Sequence, residues 1–147
     1  MKITSATAVA GWRLPRLVLV NGCFDVIHRG HVELLNVAAE LGPVVVAVNS
    51  DASVRELKGP TRPINCEQDR AYVIASIASV YAAFIFPGPR LADEILLLKP
   101  TFYVKGGDYT LESLEASERA ALLAVGSDIR FVPLKAGYSS TQTIQQL

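Results

Sequence analysis

The feature that most narrows what this chain can fold into is a repeated alternation. Short apolar runs, each too short for a helix, are separated by longer stretches with helical spacing. The runs lie at 17–20, 43–48, 80–86, 101–104 and 128–133. Consecutive apolar residues, many of them β-branched, suit strands buried on both faces. Helical spacing falls at 29–41, at 51–57, from Asn65 or Cys66 onward, at 90–98 and at 115–125, with a last helix opened by 137–141. Gly42-Pro43 stops the first of these helices, and Gly126 follows the fifth. Strands that alternate with helices pair in parallel through right-handed crossovers. The expectation is an α/β fold: one doubly wound domain on a five-stranded parallel sheet.

In such sheets ligands bind beyond the carboxyl ends of the strands. The polar residues sit there. After the first strand comes Asn21-Gly22-Cys23-Phe24-Asp25-Val26-Ile27-His28-Arg29-Gly30-His31, a tight turn that opens a helix. Backbone N–H groups are unpaired at a helix start and can hold an anion. His28 and His31 flank Gly30 at a spacing that lets both act on one bound group. The pattern reads as a phosphate site with two imidazoles, suited to nucleotidyl transfer. A helix cap or half a metal site are the plainer readings of the same spacing.

Later strand ends add to it. The second strand ends in Asn49-Ser50-Asp51. The loop 58–65 holds two prolines and a glycine, so it cannot be regular, and it brings Lys58 and Arg62. It reads as a basic lid over phosphates, or else as a solvated linker. Arg70, on the next helix, either points to the site or pairs with a carboxylate. Lys105-Gly106-Gly107-Asp108-Tyr109 follows the fourth strand, where two glycines allow close approach to a ligand. Ser139, Ser140 and Thr141 open the terminal helix as a cap or a phosphate cradle.

Composition excludes several classes. The chain has 147 residues, 14 Lys plus Arg and 14 Asp plus Glu, so no basic excess favours nucleic acid. Two cysteines are too few for a disulfide framework. No apolar run approaches a membrane span, and the first residues lack the shape of a signal peptide. A cytoplasmic protein with no membrane partner is expected. Residues 1–16 read as a peripheral segment that packs on the core or on a partner chain, and residues 17–147 as the domain proper. Trp12 and the apolar helices suggest a homodimer. No Gly-x-Gly-x-x-Gly follows the first strand and no P-loop is present, which disfavours a nicotinamide dinucleotide site and a P-loop kinase. No third Cys, His or carboxylate falls at a usual ligand spacing, so no protein-bound metal is expected.

The turn His28-Arg29-Gly30-His31, preceded by Asn-Gly-Cys-Phe-Asp, resembles the mark of the cytidylyltransferase-like nucleotidyltransferases, a Rossmann-like superfamily. Within it the chain looks most like the adenylyltransferase domain that acts on D-glycero-D-manno-heptose 1-phosphate. Motifs of that domain stand here in order at 21–25, 48–51, 57–59, 62–65, 105–109 and 139–141. That domain is in some bacteria fused to a sugar kinase, and the length here leads one to expect the stand-alone form. Glycerol-phosphate cytidylyltransferases usually carry an arginine where Leu134 stands here, beside Lys135, and Gly-Asp-Asp-Trp where this chain has 106–109.

The resemblance implies attack of a sugar-phosphate oxygen on the α-phosphorus of a nucleoside triphosphate, ATP before CTP, with pyrophosphate leaving. It implies that His28 and His31 bind the α- and β-phosphates, that Lys58 closes over them, and that magnesium arrives with the triphosphate. Gly22, Cys23, Phe24 and Gly30 would hold the triphosphate, with Ser139, Ser140 and Thr141 at its far end. Gly106, Gly107, Asp108 and Tyr109 would border base and ribose. Asp25, Asn49 and Asp51 would meet the acceptor's hydroxyls, and Arg62 or Arg70 its phosphate. A glycerol 3-phosphate or other polyol-phosphate cytidylyltransferase is the alternative, and a nucleotide-binding module without turnover is the third reading.

Overall fold

The computed structural model describes residues 2–133 and 144–146. Its six strands are β1 (Ile3–Thr4), β2 (Val18–Gly22), β3 (Val44–Asn49), β4 (Val80–Phe86), β5 (Phe102–Gly106) and β6 (Asp128–Val132). The helices are α1 (Ala6–Trp12), α2 (Arg29–Ala39), α3 (Asp51–Lys58), α4 (Glu67–Ala75), α5 (Ala92–Leu98) and α6 (Ala116–Val125). All strands pair in parallel, in the order β1-β4-β3-β2-β5-β6. The expected sheet of five strands is therefore one short. The sixth is β1, at the edge, where Ile3 and Thr4 pair with Ala83 and Phe84. Two residues of mixed polarity give no apolar run, and only pairing with β4 makes them a strand.

Side chains alternate across each strand, so a doubly covered sheet has two cores. Val18, Val20, Val44, Val46 and Val48 face Leu34, Leu35 and Ala38 of α2 and Ala71 and Ile74 of α4. Leu19, Val45, Phe84 and Tyr103 face Val9 of α1, Ile95 and Leu98 of α5 and Leu122 of α6. The central strand β3 is buried at every residue, which is why its sequence shows no polar alternation.

The strand order also places the site. From β2 the chain steps outward through β3 to β4, then returns to β5 on the other side of β2. That reversal is the point where such sheets bind ligands. Here it is opened further. β2 pairs with β3 over five residues, 18–22, but with β5 only through Val18 and Leu19. Beyond Leu19 the two strands part, and a crevice begins. Among the described residues no helix is long and apolar enough to cross a membrane.

Leu35 docks α2, the helix that begins with the two histidines, and is fully buried. Leu35→Ala should destabilise the protein by about 2–5 kcal/mol through lost burial and the cavity left behind. Urea unfolding measures this, and an unchanged midpoint would mean that α2 is not docked as described.

Candidate active site

At the end of β2 the chain must turn sharply to start α2. Phe24 adopts a left-handed conformation, φ 49°, and its ring lies over Gly22. A Cβ at Gly22 would stand 3.0 Å from that ring, which would have to shift slightly to admit it. The α2 start then needs acceptors for its first N–H groups. Two imidazoles supply them reciprocally. His28 Nδ1 accepts from Gly30 N–H at 3.1 Å, and His31 Nδ1 accepts from His28 N–H at 3.2 Å. The two rings stack, 3.8 Å between centroids, and Phe24 packs edge-on against His31.

This cap fixes the chemistry of both rings. An Nδ1 that accepts a hydrogen bond leaves the single proton of a neutral imidazole on Nε2. Burial pushes the His28 pKa down. Burial, and then the nearby His28 and Lys58, bring His31 down to about 4. Near neutral pH both are uncharged Nε2–H donors at a helix N-terminus, where the dipole favours an anion.

Buried ion pairs tie the neighbouring loops together. Asp25 takes Arg62 Nε at 2.8 Å, Ile64 N–H at 2.8 Å and Asn65 N–H at 2.9 Å. These donors hold its carboxyl below the ordinary range against the opposing effect of burial. Arg70 is fully buried and donates to Asn65 O at 2.9 Å, Cys23 O at 2.6 Å and Asp51 Oδ1 at 2.8 Å. One guanidinium thus joins the β2 turn, the start of α3 and the approach to α4.

A cleft of about 400 Å³ opens where β2 and β5 part. Asn21, Gly22, Cys23, Phe24, Asp25, His31, Asn49, Lys58, Gly106 and Tyr109 line it, together with Arg90, Lys105 and Glu118. Lys105 Nζ sits 4.7 Å above the Tyr109 ring. Tyr103, buried under the cleft, donates its hydroxyl to Asn21 Oδ1 at 2.6 Å. Burial raises the Cys23 pKa in spite of Lys58, Arg70 and Arg62, so Cys23 lines the cleft as a thiol.

Several sequence expectations change on this geometry. Arg70 takes the second of its two options, pairing with the Asp51 carboxylate, because its donors are engaged inside the protein. Arg62 is not part of a mobile lid: its pair with Asp25 fixes the 62–65 end of the loop, a tie that does not reach the exposed Lys58. Asp25 has both carboxylate oxygens engaged by the protein. Asp108 is exposed and outside the cleft lining, while Gly107 takes φ 118° beside Tyr109. Ser139, Ser140 and Thr141 lie outside the described residues, as do Leu134 and Lys135. Sequence reasoning misses Asn21, Arg90, Lys105 and Glu118 as parts of the cleft. Asn21 and Lys105 stand within motifs already noted, but Arg90 and Glu118 sit before and within apolar helices and give no signal. Among the described residues no three His, Cys, Asp or Glu side chains converge to hold a metal ion.

The cytidylyltransferase-like family model matches residues 19–146. Curated relatives named Bifunctional protein HldE, from Koribacter versatilis and Hyphomonas neptunium, are each 44% identical to the chain, over 94% and 92% of it. The chain spans 29% and 28% of those two proteins, under a third of their length. The solved lipopolysaccharide core biosynthesis protein from Thermoplasma volcanium superposes with a TM-score of 0.65 at 25% identity, covering 81% of this chain and 95% of that one. Pantothenate synthetase from Thermus thermophilus shares the fold, with a TM-score of 0.61 at 19% identity over 91% of this chain and 61% of its own.

The histidine cap makes stability depend on pH. The folded pKa of His31 lies below its unfolded value of 6.5, at about 4, so the unfolded state binds the extra proton first. Stability from this group is complete above 6.5 and falls as pH drops toward 4. The unfolding free energy should decline across that window, and His31→Asn should flatten the decline. Equal slopes for the two proteins would contradict the capping geometry.

Proposed function

Because the chain belongs to the cytidylyltransferase-like family, we propose that it transfers a nucleoside monophosphate from a triphosphate to a sugar phosphate, with release of pyrophosphate. The observation that carries this reading is the pair of capped, neutral imidazoles at the start of α2, with His31 in a cleft that also holds Lys58, Arg90 and Lys105. Phosphoryl transfer requires in-line positioning and stabilisation of charge on the phosphoryl oxygens, not a covalent intermediate on the protein. The Nε2–H groups of His28 and His31 would donate to the α- and β-phosphate oxygens. Turn N–H groups from Gly22 to Phe24 and at Gly30 would hold the chain of phosphates. Lys58, exposed at the end of α3 beside the cleft, would close on the leaving pyrophosphate. Ser139, Ser140 and Thr141 remain assigned to its far end on the resemblance alone.

On the acceptor side, Asn49 lines the cleft and suits the sugar hydroxyls. Arg62, paired with Asp25 and outside the cleft lining, would serve the acceptor's phosphate by bracing the loop beside it and not by direct contact. Asp25, Asp51 and Arg70 would act through position, by holding the rim of the site. A divalent ion, magnesium by preference, would neutralise phosphate charge when it arrives with the triphosphate. Gly106 and Tyr109 border the cleft where base and ribose would lie. The ordered motifs shared with heptose 1-phosphate adenylyltransferase domains support ATP and that acceptor. Residues 17–147 would carry this chemistry, on a sheet and core to which β1 and α1 of the preceding segment also belong.

The test is pyrophosphate release with magnesium, in a matrix of ATP and CTP against heptose 1-phosphate and glycerol 3-phosphate. Turnover confined to ATP with the heptose is expected. Turnover of CTP with glycerol 3-phosphate would replace the acceptor and base, and none with any pair would remove the enzyme reading. In the active combination His31→Ala should lower kcat by about 10²–10³-fold while the protein stays folded. Lys58→Ala should lower turnover without moving Tm, since Lys58 is an exposed residue at the last position of α3. Near-normal turnover of folded His31→Ala would contradict the role given to the pair.

A further inference from the structure

Glu118 is a carboxylate where the phosphate chemistry has no use for one. It is only 5% exposed, yet it lines the same cleft as His31, Lys58 and Lys105. Its Oε2 accepts from Leu91 N–H at 2.8 Å, a buried bond that ties α6 to the start of α5. Its Oε1 has no hydrogen-bond partner among the described residues, and no cation there lies within ion-pair distance. That oxygen is not sealed off, so a group bound in the cleft can supply it with a donor. A phosphate oxygen cannot, since two anions would meet. The donor then comes from the nucleoside end, which the resemblance places beside Gly106 and Tyr109 of the same lining. Around Glu118 the wall includes Pro89, Gly106 and Tyr109, flat or small groups that suit a planar ring.

Building on the nucleotidyl-transfer reading, we propose that Glu118 reads the base: its Oε1 accepts a hydrogen bond from the exocyclic amine of an adenine or cytosine nucleotide and rejects bases with an oxo group there. The carboxylate is held rigid by Leu91, and an oxo group in place of the amine would put acceptor against acceptor. This contact would complement the backbone groups of the turn, which see the phosphates and not the base.

Glu118→Gln tests this without removing the structural bond. Leu91 N–H still needs an acceptor, so the amide oxygen should turn to it and the amide NH₂ should face the cleft. The acceptor that reads the base thereby becomes a donor. Binding of ATP, inosine triphosphate and inorganic tripolyphosphate is measured by calorimetry for both proteins. The wild type should bind ATP about tenfold or more tightly over inosine triphosphate, the scale of one hydrogen bond to a charged group. Glu118→Gln should erase or invert that ratio, with tripolyphosphate affinity unchanged. An unchanged ratio in a variant that still binds ATP would overturn the role of Glu118 alone. Equal weakening of both nucleotides would move the contact to the ribose and overturn base reading as well. Failure of ATP and tripolyphosphate alike to bind the wild type would overturn the nucleotidyl-transfer reading, and this proposal with it.

Discussion

The site depends on one local necessity: α2 begins with N–H groups that need acceptors. In most helices a serine or aspartate oxygen meets that need. Here two imidazoles do, each through Nδ1. A structural requirement thereby sets a chemical one. The cap selects the tautomer with the proton on Nε2, and burial keeps the rings neutral. The helix dipole and the donors then favour the same anion. Gly30, between the two histidines, is buried and gives its N–H to His28 Nδ1.

Two buried guanidinium groups give the cap a fixed surrounding. Arg62 and Asp25 fasten the loop that follows α3, and Arg70 joins the β2 turn, the start of α3 and the approach to α4. A buried ion pair adds little net stability, but removing one partner costs about 3–5 kcal/mol because the other charge is left without compensation. Such groups fix geometry more than they add stability. The crevice has a different origin. β2 and β5 pair over two residues and then part, at the point where strand order reverses. One wall comes from the rigid turn after β2, and the other from Gly106, Tyr109 and the first turn of α6.

Much of this was legible in the sequence. Strands buried on both faces leave continuous apolar runs, and the runs at 43–48 and 80–86 correspond to β3 and β4 within a residue. The start of α4 was marked by an acidic first turn, and the end of α6 by a glycine. β1 was not legible, because two residues become a strand only through their partner. At the site, His31, Lys58, Asn49 and Tyr109 could be placed because each follows a strand end or adjoins a proline-glycine break. The assignments of Arg62 and Arg70 were less secure for a physical reason. An arginine that binds a phosphate and one that braces two loops look alike in sequence, and only the carboxylates opposite them tell them apart. Glu118 could not be found, since its meaning lies in Leu91 and the cleft, both distant in the chain.

The central claim is that the cap presents two neutral Nε2–H donors to a nucleotide. Long-range ¹H–¹⁵N spectra of the two histidine side chains, the only histidines in the chain, measure this directly. Both rings should show the Nε2–H tautomer in the free protein near neutral pH. Addition of a non-hydrolysable ATP analogue with magnesium should move both Nε2–H resonances downfield as they bond to phosphate. A free protein with the proton on Nδ1, or resonances that do not respond to the nucleotide, would contradict the account.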